Sequence, residues 1–214
     1  VAARQNPSYC PLADDPAGVP ISAIIFGGRR RELAPLVYQA RDWMHGVLVG
    51  ASVASETTAA ATGKVGVVRR DPMAMKPFCG YNFADYWGHW LSFAARADKL
   101  PKIFHVNWFR QDKDGHFMWP GFGENLRVLS WIIDRCEDRV GATETPIGFL
   151  PRPEDINTEG LEIDKDTLSA LLSVDHSAWR EEMQSLGEYF SEFGSRLPEL
   201  LAAERDKVTA ALKD

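Results

Sequence analysis

Apolar residues in this chain come in runs of two lengths, and that restricts the fold more than any single motif does. Residues 21–26 (Ile-Ser-Ala-Ile-Ile-Phe) form a short run that stops at Gly27-Gly28, and residues 102–106 form another. A short apolar run bounded by turn residues is the pattern of a buried strand. Residues 125–134 instead carry apolar side chains at helical spacing, as do 166–172, 177–193 and 198–212. Asp166, Ser177 and Pro198 supply start signals for the last three. The remaining pattern predicts a short helix over 35–43 with Pro35 in its first turn, strands at 47–49 and 65–68, and a mostly helical, aromatic-rich stretch over 73–96. Residues 1–20 are rich in Pro, Gly, Asp and Asn and read as loop. Strands and helices are mixed, so the expected class is α/β: a mixed sheet with flanking helices, ending in a helical tail.

The 214 residues are 45% hydrophobic and 25% charged, which excludes disorder along the whole chain. The net charge of −6 argues against a protein whose main task is binding nucleic acid. No apolar run approaches the ~18 residues of a membrane span, and the start carries no signal-peptide pattern. Cys10, Cys79 and Cys136 are an odd, low count that fits free thiols in a reducing compartment. The charge is uneven. Residues 1–150 carry a net +2 and six of the seven tryptophans, while 151–214 carry a net −8. The division falls in a proline-rich stretch at 146–153, so 1–150 reads as the working region and 151–214 as an acidic helical tail.

Four groups of residues could carry chemistry. In 26–31 (Phe-Gly-Gly-Arg-Arg-Arg), two glycines permit close backbone approach and the arginines offer forked donors matched to phosphate oxygens. The alternative there is a turn with solvated arginines. The small residues Ser55, Glu56, Thr57, Thr58, Ala59, Ala60, Ala61, Thr62 and Gly63 lie between two expected strands. They suit a compact mobile loop or a short Ala-rich helix. Residues 107–125 hold Trp108, Phe109, Phe117, Trp119 and Phe122 among turn residues, with a hairpin turn at 112–115. These aromatics could wall a flat heterocycle, with Gly123, Glu124 and Asn125 offering polar groups to a base edge, or they could form a small core under the hairpin. His45, His89, His105, His116 and His176 show no metal spacing and read as structural or surface residues. There is no Walker A run, no Gly-x-Ser-x-Gly elbow and no zinc motif.

Several longer stretches taken together resemble one family. They are 18–30 with its Gly-Gly-Arg-Arg ending, Asp71-Pro-Met-Ala-Met75 with Gly80-Tyr-Asn-Phe83, and 100–110 followed by Trp119-Pro-Gly-Phe-Gly-Glu-Asn125. The chain resembles GTP-dependent phosphoenolpyruvate carboxykinase, over about the last third of that family's length. The resemblance implies the C-terminal part of a nucleotide-binding domain. It implies reversible conversion of oxaloacetate and GTP to phosphoenolpyruvate, CO₂ and GDP, with Mn²⁺ or Mg²⁺, in gluconeogenesis. It also implies a cytoplasmic, monomeric enzyme with no nucleic-acid or membrane partner.

By the same resemblance, Arg29 stands for an arginine on the nucleotide phosphates. Trp108, Phe109, Phe117 and Phe122 stand for an aromatic box around guanine, and Phe122 through Asn125 for the stretch reading the guanine edge. Residues 55–63 stand for the active-site lid. The family's phosphate loop with its reactive cysteine, its Lys, His and Asp metal ligands, and its substrate-contacting Asn-x-Arg element have no counterpart in these residues. No residue here is therefore assigned as catalytic or metal-binding, and the 214 residues alone are expected to be inactive. Ala54 stands where relatives often carry arginine. The chain begins at Val1 without Met, which leads to the expectation of a piece of a longer polypeptide. The alternative is a stand-alone guanine-nucleotide-binding module, or a remnant without catalysis.

Overall fold

A computed structural model of the chain describes residues 2–57 and 66–213. Five strands build the main sheet: β1 (Ala23–Gly27), β2 (Val37–Gln39), β5 (Lys102–Val106), β6 (Thr143–Thr145) and β7 (Gly148–Leu150), in the order β1-β5-β2-β7-β6. β1 and β5 are parallel, with Ala23 opposite Lys102 and Gly27 opposite Val106. The other pairings are antiparallel. A separate two-stranded ribbon joins β3 (Ala54–Glu56) to β4 (Val68–Arg70). The helices are α1 (Trp43–Ala51), α2 (Phe83–Ser92), α3 (Asn125–Cys136), α4 (Lys165–Leu171), α5 (His176–Ser191) and α6 (Glu199–Ala211).

The two-residue period of the strands divides the core into two layers. On one face of the sheet, Phe26, Tyr38 and Ile103 pack with α1, α2, α5 and α6. On the other, Val37, Phe104 and Val106 pack with Trp119, α3 and α4. The result is a mixed sheet between helical layers, the expected α/β class. The acidic tail supplies Trp179, Met183, Leu186, Phe190, Leu201, Val208 and Leu212 to the first layer, so it is part of the core. α1 lies unusually close to the sheet. A Cβ on Gly46 would collide with Ile103 and one on Gly50 with the Phe26 ring.

Several expected elements change identity. Residues 35–43 are not a helix, because 37–39 are β2, fully buried between β5 and β7. A central strand covered on both faces reads as a continuous apolar run and hides its period. Residues 47–49 are not a strand but the middle of α1. The Asp42 carboxylate caps that helix by accepting from the His45 amide at 2.8 Å, and burial on all sides masks the helical period. Within 73–96, Met73 and Ala74 sit in left-handed conformations and the helix begins only at Phe83, where Asn82 caps it. The strand expected at 65–68 starts only at Val68, as β4; Gly66 and Val67 are not strand, and Val65 lies outside the described residues. Two tail helices start earlier than expected. Asp164 caps α4 and Asp175 caps α5, displacing Asp166 and Ser177 as the caps.

His45 and His105 are buried within this core. Burial, helped by the neighbouring Arg41 charge, pushes the His45 pKa down to about 3. Burial and the Arg30 charge push His105, stacked 5.2 Å from the Tyr38 ring, down to about 4. Both imidazoles therefore stay neutral in the folded chain, whereas unfolded ones take up protons near pH 6.5. Between those limits the unfolded state binds more protons, so folding stability falls as pH falls from about 6.5 toward 4. Denaturant titrations across that range should show the loss, and a His105→Gln variant should show a shallower pH slope than the parent.

Candidate functional site

The Gly-Gly-Arg-Arg-Arg segment leaves β1 and enters a turn against the β3–β4 ribbon. A Cβ on Gly28 would collide with the Ala54 carbonyl, so glycine lets the two backbones meet. The Asn107 side chain, fully buried just past β5, holds the turn. Its amide NH₂ donates to the carbonyls of Arg30 (2.7 Å) and Ala34 (2.9 Å). Its oxygen accepts from the backbone amides of Arg30 (3.3 Å) and Phe109 (3.2 Å). All four hydrogen-bonding positions of one side chain are thus used on two segments.

The ribbon joins the turn by a second set of bonds. The Ser55 hydroxyl accepts from the Arg29 amide at 3.1 Å, and the Glu56 amide donates to the Arg29 carbonyl at 2.8 Å. The Glu56 carboxylate accepts from the Arg31 amide (2.9 Å) and pairs with the Arg31 guanidinium (2.6 Å). Arg30 turns inward instead and pairs with Glu182 of α5 at 2.8 Å; Glu182 also pairs with Arg70 of β4. Burial alone would raise the Glu182 carboxyl. Hydrogen bonds and charge from Arg30 and Arg70 outweigh burial and hold it below the usual carboxylate range.

Of the three arginines, Arg29 is the one whose guanidinium pairs with no carboxylate among the described residues. It lies 3.9 Å over the Phe109 ring, and Phe109 meets Phe117 edge-on at 6.0 Å. Phe117 is placed by the hairpin through the bridge between Gln111 and Phe117. Phe122 stands 94% exposed on the turn before α3. Trp108 is half-buried and leans on the second core layer. The structure therefore gathers Arg29, Phe109 and Phe117, leaves Phe122 free on an adjoining turn, and turns Trp108 toward the interior.

The polar residues of that turn are held from behind. Arg127 of α3 pairs with Glu124 at 2.6 Å and donates to the carbonyls of Asn157 and Glu159, both at 2.9 Å. The Trp119 indole N–H donates to the Asn125 side-chain oxygen at 3.0 Å. Gly123 has open space on its side-chain side. Of the expected lid, Ser55, Glu56 and Thr57 are seen as the end of β3 and its continuation. Thr58, Ala59, Ala60, Ala61, Thr62 and Gly63 lie outside the described residues.

Sequence reasoning placed Glu56 in the lid but not as an organiser of the arginine turn, and it missed Asn107, Arg127 and Glu182 as organisers of the site. Asn107 had one visible sign, a polar residue directly after an apolar strand. Glu182 had none, because it reads as one acid in an acidic helix. Among the described residues, no group of three or more His, Cys, Asp or Glu side chains converges to hold a metal ion. The Mn²⁺ or Mg²⁺ implied by resemblance therefore does not fit this chain's own described residues. No helix among them is long and apolar enough to cross a membrane.

The fold is that of an α/β domain, and it clusters arginine, aromatic and amide groups at the carboxyl end of β1 and β5, the end at which open α/β sheets bind ligands. Residues 1–211 match the family model described as the phosphoenolpyruvate carboxykinase C-terminal P-loop domain, and the chain belongs to that family. It is 56% identical over 211 residues to phosphoenolpyruvate carboxykinase [GTP] of Neocallimastix frontalis, covering 97% of this chain and 34% of that protein. It is 53% identical over 209 residues to the Chlamydia muridarum protein of the same name, covering 97% and 35%. It is 50% identical over 215 residues to that of Anaeromyxobacter dehalogenans strain 2CP-1, covering 99% and 36%. The chain thus spans about a third of the length of these relatives.

Replacing Asn107 by Leu keeps the branched shape and removes all four bonds. Two buried carbonyls and two amides would lose their partner, so stability should fall by at least about 2 kcal/mol. A urea unfolding curve measures it.

Proposed function

We propose that this chain is part of a GTP-dependent phosphoenolpyruvate carboxykinase, which converts oxaloacetate and GTP to phosphoenolpyruvate, CO₂ and GDP. The observation that carries the reading is the Arg29 guanidinium, without a carboxylate partner among the described residues, beside Phe109 and Phe117 in a chain of this family. A guanidinium offers forked donors to phosphate oxygens, and ring faces beside it suit a purine. Residues 1–150 supply the guanine pocket and the lid, and residues 151–214 form the helical tail that buttresses them.

In this reading Phe109, Phe117 and Phe122 stack on guanine, with Trp108 as backing. Phe122-Gly123-Glu124-Asn125 reads its edge. Arg29 holds the phosphates. Loss of CO₂ from oxaloacetate leaves an enolate oxygen that attacks the γ-phosphorus while the bond to the bridging oxygen breaks and GDP departs. Arg29 offsets charge on the phosphoryl oxygens as that bond breaks. The lid, residues 55–63, excludes water that would protonate the enolate. Metal ligands and the phosphate loop belong to the remainder of the longer enzyme. That enzyme is proposed to be a monomer acting in gluconeogenesis in the cytoplasm.

The intact mass of the native polypeptide is the first test, and a mass well above that of 214 residues is expected. In the full enzyme, Phe122→Ala should raise KM for GTP about ten-fold or more, on the scale of aromatic–base stacking. Arg29→Ala should lower kcat, since its partner charge grows in the transition state. An unchanged KM removes Phe122 from the pocket. The 214 residues by themselves should form no phosphoenolpyruvate from oxaloacetate and GTP, and any such product overturns the division of parts.

A further inference from the structure

The free end of the Asn125 side chain has a chemical identity that the structure fixes. The Trp119 indole carries one polar group, an N–H that only donates. That group meets the Asn125 amide at 3.0 Å, so the atom facing it must be the oxygen. The usual ambiguity between the two ends of an asparagine amide is thereby removed. No second partner for the Asn125 NH₂ occurs among the described residues. The half-buried Asn125 therefore presents its two N–H donors beside the exposed Phe122 turn, while its oxygen is held by the indole.

Trp119 is itself enclosed by the core. It is 1% exposed and packs in the second core layer with Phe104, Val128 and Trp131. Asn125 cannot rotate its amide without leaving the buried indole N–H unpaired, which is costly. The backbone carrying Asn125 is the first residue of α3, and Arg127 ties the preceding Glu124 to the 157–159 loop. The Glu124 carboxylate is engaged by that arginine, so it is held by a fixed cation next to the turn.

We propose that Trp119 is a positioning residue that sets nucleotide choice, by locking the Asn125 amide with its donor end toward the base. The inference rests on the guanine reading given above. A fixed donor suits the purine 6-position only when that position carries a carbonyl oxygen. Guanine and hypoxanthine have one there. Adenine has an amino group, which would set donor against donor. Selection between 6-oxo and 6-amino purine nucleotides thus depends on an indole that never touches the base. A site built around one polar group discriminates strongly, because the wrong ligand leaves that group unpaired.

The test uses the full-length enzyme with GTP, ITP and ATP. Trp119→Phe keeps a ring in the core and removes the donor, freeing the amide to turn. It should lower the GTP-to-ATP ratio of kcat/KM by about ten-fold, the scale of one hydrogen bond to a base edge. ITP should follow GTP, since both carry the 6-oxo group. A merely structural role for Trp119 would reduce activity with all three nucleotides in proportion, and an unchanged ratio overturns the proposal. Asn125→Asp covers the case in which Trp119→Phe fails to fold. One carboxylate oxygen still accepts from Trp119, and the other puts an acceptor where the donor was. GTP and ITP should then both weaken about ten-fold or more relative to ATP; a retained preference overturns the proposal. If Asn125→Ala and Phe122→Ala both leave KM for GTP unchanged, the guanine reading itself falls. If those two raise KM while Trp119→Phe keeps the ratio, the guanine reading survives and the role of Trp119 does not.

Discussion

One buried amide organises the arginine turn. The backbone between β1 and β2 carries the three arginines and runs over the ends of β5 and the β3–β4 ribbon. That backbone has polar groups that cannot pair within a sheet, and burial would leave them unsatisfied. Asn107 supplies both donors and acceptors at the one place where β5 ends beneath the turn. Because its fourth bond goes to the Phe109 amide, the same side chain fixes the arginine turn and the first aromatic residue relative to each other. The 3.9 Å approach of Arg29 to the Phe109 ring follows from that shared anchor.

The tail is bound into the same arrangement through Glu182. Its carboxylate receives Arg30 from the turn and Arg70 from the ribbon, so one helix links the arginine turn to β4. Breaking such a cluster by removing one member would leave buried charge uncompensated. This division of labour sets Arg29 apart: Arg30 and Arg31 are engaged by Glu182 and Glu56, and of the three only Arg29 has a guanidinium with no carboxylate partner among the described residues. A triplet that reads as three equivalent cations is three different groups in space.

Legibility did not follow position in the sheet: β1 at one edge and the interior β5 were read from the sequence, while β6 at the other edge and its neighbour β7 were not. The strands at 23–27 and 102–106, and α3, appear where apolar spacing puts them: Gly27-Gly28 bounds the first, Pro101 precedes the second, and α3 keeps an exposed side. β2 and α1 exchanged identities. Both are buried on every side, and a segment without a solvent face has no period from which strand and helix can be told apart. The caps Asp164 and Asp175 were displaced by two residues for a similar reason: several acids and hydroxyls precede each tail helix, and only the packed backbone chooses among them.

The sequence by itself determined the mixed α/β class, the family, and the residue types gathered at the site, since these depend on local spacing and on motifs contiguous along the chain. Tertiary structure alone decided which arginine is unpaired, which aromatic faces inward, and which end of the Asn125 amide is free. Those properties are set by partners 6 to 152 residues away along the chain. Hydrogen-bond direction and ion pairing depend on distance in space, and no local pattern of residues records it.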